Sequence, residues 1–348
     1  MNQAKEPTNR RSVGNWMYHT NPIILDTRSP SEFHKGHIPG AQLIPLFEDN
    51  ERAIIGTIYK HQGKHQAVEK GLEFVAPKME GMVSSARDLF ESQEEPSPLV
   101  VHCWRGGMRS GSVAWLLETS GIPVVKLEGG YKAYRQWIRD DFMRISNLRV
   151  LGGMTGTGKT SILHEMRNMG GQVLDLEGLA GHLGSAFGNL ERTPQPTSEY
   201  FGNLCHQVLN GMDWQKPIWV ENESRVIGTV HIQQELFDAI RSAPVWTIER
   251  SHEERLDELC RVYGDANPEA LIRAFKRIRD KLGGAKMQEA IHDLESGGLR
   301  EAARIGLHYY DKLYLHTKDR YVRKQQTLLD GRGLTFGEIA RQLLAVLD

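Results

Sequence analysis

The stretch SPLVVHCWRGGMRS, residues 97–110, decides the fold of the first half of the chain. Its opening run, SPLVVH, shows no polar alternation, which is typical of a parallel strand buried on both faces. The segment 109–120 has helical periodicity and ends before Gly121, a C-cap residue. The runs PIIL at 22–25 and PVVKL at 123–127 are further strands. Strand, loop, helix and strand form a βαβ unit, so we predict an α/β domain with a parallel sheet.

The loop between strand and helix places a cysteine where its thiol ionises easily. Backbone N–H groups of such a loop point inward and form an anion nest, and the following helix adds the positive end of its dipole. Cys103 lies at the mouth of this nest, so we predict an exposed thiolate with a lowered pKa. Arg109 adds a guanidinium that can fork onto the oxygens of an oxyanion. The other residues predicted to hold the anion are Arg105, Gly106, Gly107 and Ser110.

The alternative is that Cys103 is a small apolar packing residue, as free cysteines often are. That interpretation does not account for the two glycines and two arginines that surround it. Cys205 and Cys260 have no glycine loop, and we interpret both as packing residues.

Composition limits the classes of protein that remain. A length of 348 residues suggests two domains, and the net charge of −1 excludes a globally basic nucleic-acid binder without excluding a local basic face. Three widely spaced cysteines disfavour a disulfide framework and a cysteine-rich metal site. The polar first residues and the absence of a long apolar run predict no membrane segment and a cytoplasmic location.

A second motif, GMTGTGKT at residues 153–160, matches the pattern G-x-x-x-x-G-K-[ST] in full. It follows the apolar run LRVLGG and precedes a helical segment, which is the context that a P-loop requires. We therefore predict that backbone amides hold a di- or triphosphate here, that Thr160 can ligate Mg²⁺, and that no cofactor is tightly bound. The residues assigned to the diphosphate are Gly153, Gly156, Gly158, Lys159, Thr160, Glu221 and Arg225.

The acidic partner of the magnesium ion has two candidate positions. Asp175 and Glu177 follow the apolar run QVL, and Glu221 and Glu223 follow PIWV. An acid at the end of a strand is where such a partner lies. We favour Glu221, with Arg225 as a phosphate contact; either acidic pair could instead be solvated charge.

The chain divides near residues 138–147, which gives predicted domains at 1–140 and 148–348. The second domain begins as an α/β pattern and becomes mostly helical from about Ser251. Basic residues mixed with tyrosines between 309 and 324 can bind RNA phosphates and stack on bases. An ordinary solvated helix face is an equally good interpretation of that segment, and the basic stretch 60–65 is equally open.

Several stretches resemble known families. DTRSPSEF at 26–33, GHIPGA at 36–41 and LEGGYKA at 127–133 resemble the motifs of rhodanese domains. The string HC-x-x-G-x-x-R-S is also typical of protein tyrosine phosphatases. The loop is one residue longer than that of most rhodaneses and resembles the cell-cycle phosphatases that share this fold. A wider nest suits a phosphate-sized group better than a single sulfur, which points to a substrate that is both phosphate-like and a chalcogen donor. Selenophosphate and thiophosphate satisfy both demands.

A rhodanese domain followed by a P-loop domain resembles bacterial tRNA 2-selenouridine synthases, and the resemblance covers nearly the whole chain. Its stretches are GTIYK at 56–60, CWRGGMRS at 103–110, DLEGLA at 175–180, GSAFG at 184–188 and ENESR at 221–225. The resemblance implies a tRNA-modifying enzyme that converts wobble 2-thiouridine to 2-selenouridine with selenophosphate, after geranyl diphosphate has alkylated the sulfur. It implies that Cys103 is the essential cysteine, either as a carrier of selenium or as a nucleophile that helps to displace the geranyl thiol. The P-loop would then hold the diphosphate of geranyl diphosphate without any need for ATP.

Two other classes of function stay open at this point. One is a phosphatase or sulfurtransferase of the rhodanese fold, fused to a P-loop kinase or NTPase. The phosphatase would hydrolyse a generic aryl phosphate in a Cys103-dependent way. A nucleotide-regulated tRNA-binding module would leave the selenouridine content of cells unchanged on Cys103→Ser.

Overall fold

A computed structural model describes residues 10–182, 187, 194–318 and 326–345, and the chain forms two compact units. The first unit comprises residues up to Asp141 together with Gly202–Gly211, and the second comprises Phe142–Phe201 and the residues from Met212 onward. The domain boundaries predicted from the sequence put residues 202–211 in the P-loop domain. Across the described residues, no helix combines the length and the apolar character needed to cross a membrane.

The first unit contains a parallel sheet, as predicted. Its strand order is β1-β5-β4-β2-β3, and every paired neighbour is parallel. The strands are β1 (Arg10–Arg11), β2 (Ile24–Asp26), β3 (Gln42–Leu43), β4 (Leu99–His102) and β5 (Val124–Leu127). All four residues of the central strand β4 are buried, which explains why the sequence there shows no polar alternation.

Seven α-helices lie between Trp16 and Arg144 in the described chain. They are α1 (Trp16–His19), α2 (Pro30–Lys35), α3 (Asp49–His61), α4 (Lys64–Val75), α5 (Met79–Glu91), α6 (Met108–Thr119) and α7 (Gly130–Arg144), with a 3-10 turn at Ala76–Lys78. Helix α6 confirms the predicted helix and ends just before Gly121, whose φ is +81°. Leu25, Val101, Val113 and Leu117 belong to the core between the sheet and its helices.

The segment 202–211 belongs to the first unit because two of its polar side chains are anchored there. The amide of Asn203 donates to the backbone oxygen of His37 at 2.6 Å and to the hydroxyl of Tyr131 at 2.8 Å. A ring nitrogen of His206 lies 2.9 Å from the Asp141 carboxylate. The side chains of Asn203 and His206 are fully buried, so these hydrogen bonds hold the segment in the interior of the first unit.

The second unit also contains a parallel sheet among its described residues, in the order β12-β11-β6-β8-β7. The strands are β6 (Leu148–Gly153), β7 (Gln172–Leu174), β8 (Ile218–Glu221), β11 (Val245–Glu249) and β12 (Gln326–Asp330), and β9 (Val226–Ile227) pairs with β10 (Val230–His231) as an antiparallel hairpin. Strand β12 was not predicted; it lies at the edge of the sheet beside β11, after a long helical region.

The helices of the second unit include a C-terminal extension. The helices are α8 (Lys159–Asn168), α9 (Leu176–Ala180), α10 (Ser198–Asn210, which runs on into the first unit), α11 (Gln234–Ser242), α12 (His252–Tyr263), α13 (Pro268–Arg277), α14 (Arg279–Leu282), α15 (Gly284–Glu295), α16 (Leu299–Lys318) and α17 (Phe336–Ala345). The capping box predicted at Ser251 and Glu254 is confirmed at the start of α12. Leu271 and Phe275 are buried in the core of the extension, as the helical spacing predicts. The predicted basic segment after residue 318 lies outside the described residues.

Candidate active site

Cys103 follows β4 directly and lies inside the loop that leads to α6. Its sulfur accepts hydrogen bonds from the Ser110 hydroxyl, at 3.3 Å, and from the backbone N–H groups of Arg105 and Ser110. The loop therefore has the inward-pointing amides that the sequence predicts. The side chain is only 3% exposed, so the expectation of an exposed thiolate is wrong. The loop wraps around the sulfur instead of presenting it on the surface.

The surroundings of the thiol favour its ionised form in spite of this burial. Burial raises the pKa of Cys103, but hydrogen bonds from Ser110 and Arg105 and the charge of Arg109 outweigh it, and the pKa is lowered. A thiolate stabilised by amides and a nearby cation is the reactive form of cysteine. The loop can therefore supply a nucleophile.

Gly130, at the start of α7, holds the cysteine loop in place from the neighbouring segment. Its φ is +57°, and a Cβ built there would lie 2.2 Å from the backbone oxygen of Cys103 and 2.5 Å from the backbone nitrogen of Gly106. Only glycine permits both this conformation and this close approach. The next residue, Tyr131, donates its N–H to the Cys103 oxygen at 2.9 Å.

Arg109 meets a carboxylate that the sequence analysis did not assign. Its two terminal nitrogens donate to the two oxygens of Glu32, at 2.5 Å and 3.2 Å. These bonds use two of the five N–H donors of the guanidinium and fix its orientation beside the loop. Glu32 is also the N3 residue of the capping box of α2, in which its carboxylate accepts the N–H of Ser29. Burial raises the pKa of Glu32, but Arg109, Ser29 and Arg52 outweigh it and lower the pKa.

A buried ionic group supports the strand end from which the loop departs. The guanidinium of Arg28 binds the Asp26 carboxylate, donates to the Gly36 oxygen at 2.8 Å, and lies 3.9 Å from the ring centroid of Tyr131. Burial raises the pKa of Asp26, but His102 and Arg28 outweigh the effect of burial, and the pKa is lowered. The DTR part of the first rhodanese-like stretch therefore supports the loop rather than contacting the sulfur.

The second motif forms a loop of P-loop geometry between β6 and α8. Gly158 caps α8 with φ +77°, and a Cβ there would lie 2.3 Å from the ring of Phe336. The ammonium of Lys159 donates to the backbone oxygen of Gly153 at 3.2 Å, so it lies along the loop whose amides it complements. Arg255 supports this loop from α12 by donating to the Thr155 oxygen at 2.8 Å, a contact that sequence reasoning missed.

The acid that contacts the P-loop threonine is Glu177. The Thr160 hydroxyl donates to the Glu177 carboxylate at 3.1 Å. Glu221, the favoured candidate, is fully buried and accepts the N–H of Leu176 at 3.0 Å, and burial together with nearby acids raises its pKa well above the usual range. Burial and Glu177 also raise the pKa of Glu223, to about 7. Glu177 is therefore the acid that hydrogen-bonds to Thr160, and the choice of an acidic partner for a magnesium ion stays a prediction.

Comparisons with protein-family models and with curated proteins agree with this arrangement. The family model described as tRNA 2-selenouridine synthase AAA domain matches residues 146–342, and the rhodanese-like domain model matches residues 10–136. The chain is similar to a tRNA 2-selenouridine synthase of Bdellovibrio bacteriovorus, with 34% identity over 87% of this chain and 91% of the relative. The chain belongs to the tRNA 2-selenouridine synthase family. Proteins of the same name from Pseudomonas fluorescens and a Sulfurovum species are 32% and 30% identical, over 85% and 86% of this chain and 88% and 90% of theirs.

The family's two-domain organisation accounts for both motifs in one chain. Cys103, Arg109, Arg105, Gly106, Gly107 and Ser110 all lie in or beside the cysteine loop. Gly153, Gly156, Gly158, Lys159 and Thr160 lie in the P-loop and the start of α8. Arg225 is exposed just before β9, and its role as a phosphate contact stays a prediction. The roles of all these residues in binding and catalysis are likewise predictions.

Two apolar hollows border these loops. A groove of about 400 Å³, which we call the α3–α4 groove, is lined by Ile55, Tyr59, Val68, Leu72, Met108 and Arg109 among others. A smaller cavity of about 40 Å³ lies in the second unit, where Thr155 of the P-loop meets Phe187, Tyr263, Phe275 and Tyr310. In the described part of the chain, no cluster of three or more His, Cys, Asp or Glu side chains could hold a metal ion.

Proposed function

We propose that this protein replaces the sulfur of wobble 2-thiouridine in tRNA by selenium from selenophosphate, after alkylation of that sulfur by geranyl diphosphate. Membership of the family supports the tRNA selenation role. The observation that carries the proposal is the Cys103 loop, which stabilises a thiolate with amide and hydroxyl donors and has the Arg109 guanidinium beside it.

The electron count favours one of the two roles considered for Cys103. Attack of its sulfur on the selenium of selenophosphate would release phosphite, a reduced phosphorus species, and would leave selenium two electrons more oxidised as a perselenide, so that a reductant would be required later. Attack on C2 of the S-geranylated uridine requires none. In that step the sulfur of Cys103 forms a bond to C2, the C2–S bond to the geranyl thiolate breaks, and the thiolate takes up a proton and leaves.

Selenium then displaces the cysteine. The selenium of selenophosphate forms a bond to C2 and the Cys103 thiolate leaves, ready for another cycle. Water attacks the phosphorus, the Se–P bond breaks, and phosphate and 2-selenouridine are the products. The remaining donors of Arg109 and the loop amides, including those of Gly106, Gly107 and Ser110, would hold the phosphate group during this step.

The alkylation step is assigned to the P-loop. Its amides and Lys159 would hold the diphosphate of geranyl diphosphate, as the sequence predicts. The oxygens of Thr160 and Glu177 are ligands of the kind that Mg²⁺ takes alongside substrate phosphates. The ion would neutralise charge on the departing diphosphate.

A cell-based experiment tests the overall reaction. Deletion of the gene should remove 2-selenouridine from tRNA nucleosides measured by mass spectrometry, and the wild-type gene should restore it. Cys103→Ala should not restore it, whereas Cys205→Ala, a matched change of another buried free cysteine, should. Selenouridine that persists in the deletion strain contradicts the proposal.

A second experiment separates the two steps. Lys159→Ala should abolish transfer of the geranyl group from geranyl diphosphate to 2-thiouridine in an anticodon stem-loop RNA. The same variant should still convert a synthetic S-geranylated RNA to 2-selenouridine. Geranyl transfer that survives in Lys159→Ala shows that the diphosphate binds elsewhere.

A further inference from the structure

We infer that the α3–α4 groove binds the geranyl chain of the S-geranylated wobble uridine while selenium replaces the sulfur. The inference rests on the proposed function and adds a site to it. The diphosphate assignment concerns the P-loop, whereas the groove lies in the unit that carries Cys103. The two steps of the reaction would thus be assigned to different units of the chain.

The groove is built by a helical hairpin and by the helix that follows the cysteine loop. Helices α3 and α4 are joined at Gln62 and Gly63, and their apolar residues Ile55, Tyr59, Val68 and Leu72 form the walls. The third wall is the first turn of α6, which supplies Met108, Arg109 and Ser112. One wall of the groove is therefore part of the helix whose Ser110 hydroxyl donates to the Cys103 sulfur.

The size and character of the groove match an apolar chain. A cavity of about 150 Å³ accommodates benzene, so a groove of about 400 Å³ has room for a branched chain of ten carbons. Its walls expose apolar side chains that soluble proteins normally bury, with Leu72 at 63% and Val68 at 40%. Exposed apolar residues that line one concave surface mark a binding site rather than ordinary surface.

The charges at one end of the groove determine how the chain would lie. Arg52 and Arg109 both line the groove, and both lie close to the Glu32 carboxylate. A hydrocarbon tail avoids this polar end, while the phosphate group of selenophosphate is attracted to it. The chain would therefore extend away from Arg109, with the sulfur that it carries toward the cysteine loop.

The groove also gives a role to a stretch that the reaction chemistry does not use. GTIYK at 56–60 is one of the segments that resemble the family, yet it carries neither a nucleophile nor a phosphate-binding motif. Gly56 and Tyr59 of this stretch line the groove. Recognition of a substrate chain accounts for their presence there.

The test uses two stem-loop RNAs, one with S-geranyl-2-thiouridine and one with S-methyl-2-thiouridine at the wobble position. Each is incubated with the full-length protein and selenophosphate, and 2-selenouridine is measured by mass spectrometry. Wild-type protein should prefer the geranylated RNA at least tenfold in kcat/KM. Val68→Trp, which fills the groove, should reduce this preference at least tenfold, and Leu72→Ala should raise KM for the geranylated RNA only.

Ile54→Trp is the matched control, because Ile54 lies on α3 with 43% exposure and is not among the groove residues. It should retain the wild-type preference. An unchanged preference in both Val68→Trp and Leu72→Ala overturns the inference, as does a change in oligomeric state with the preference intact, which would assign the groove to self-association. Absence of selenation of both RNAs by the wild-type protein overturns the proposed function itself. Because the preference is a ratio within one variant, partial unfolding does not imitate the result.

Discussion

The contact between Gly130 and the cysteine loop gives a prediction whose size follows from the structure. In Gly130→Ala, the new Cβ would lie 2.2 Å from the Cys103 oxygen and 2.5 Å from the Gly106 nitrogen, so the loop must move. The left-handed conformation alone costs a non-glycine residue about 1–2 kcal/mol. Displacement of the loop would also break the backbone hydrogen bonds that Tyr131 and Lys132 donate to it, at 2.9 and 2.8 Å. Each of these hydrogen bonds contributes about 1 kcal/mol to stability.

The matched control is Gly121→Ala, at the end of α6. Gly121 also has a left-handed φ, of +81°, but a Cβ there meets nothing within 4 Å. Gly121→Ala should therefore lower the free energy of unfolding only by the cost of the left-handed conformation, about 1–2 kcal/mol. Gly130→Ala should lower the free energy of unfolding by about 3–4 kcal/mol, so the two variants should differ by about 2 kcal/mol.

Urea unfolding followed by far-UV circular dichroism measures both free energies of unfolding. Iodoacetamide alkylation, analysed by peptide mass spectrometry, reports the reactivity of Cys103 in the same proteins. Gly130→Ala should alter the alkylation rate of Cys103, because its backbone carbonyl moves, whereas Gly121→Ala should not. Equal losses of stability within about 0.5 kcal/mol, with equal alkylation, would refute the view that Gly130 holds the loop.

Three further predictions concern ionisation and the P-loop. The pKa of Glu223 is raised to about 7, so the folded protein keeps a proton that the unfolded chain releases. The free energy of unfolding should therefore fall as the pH rises from about 5 to about 7. Glu223→Gln should reduce this dependence on pH, as measured in urea titrations. Ser110→Ala removes a hydrogen bond to the Cys103 thiolate, so the pKa of Cys103 should rise and the pH midpoint of its alkylation should move upward; an unchanged midpoint would assign the stabilisation to the amides alone. Arg255→Lys loses the forked contact with Asp311, and should weaken inorganic pyrophosphate binding by about tenfold in calorimetry, while unaltered affinity would show that the loop needs no such support.

The cysteine loop and the P-loop could both be predicted because each is formed by consecutive residues of the chain. A buried strand, a glycine-containing loop and a helix follow one another within about twenty residues, so contiguous backbone amides converge without help from distant parts of the chain. The parallel sheets were predictable for a related reason, since an unbroken apolar strand such as β4 requires cover on both faces. The family resemblance rests on the same local stretches.

The tertiary structure decided the pairs that are far apart in sequence. The partner of Arg109 is Glu32, 77 positions away, and Arg255 supports Thr155 from 100 positions away. Nothing in the local pattern around Glu177 or Glu221 indicates which carboxylate reaches Thr160, because this depends on how α9 leaves its strand. The burial of Cys103 and the α3–α4 groove likewise depend on where separate helices meet. Such contacts form when tertiary packing brings distant segments of the chain together, and the periodicity and spacing of residues within one segment do not determine that packing.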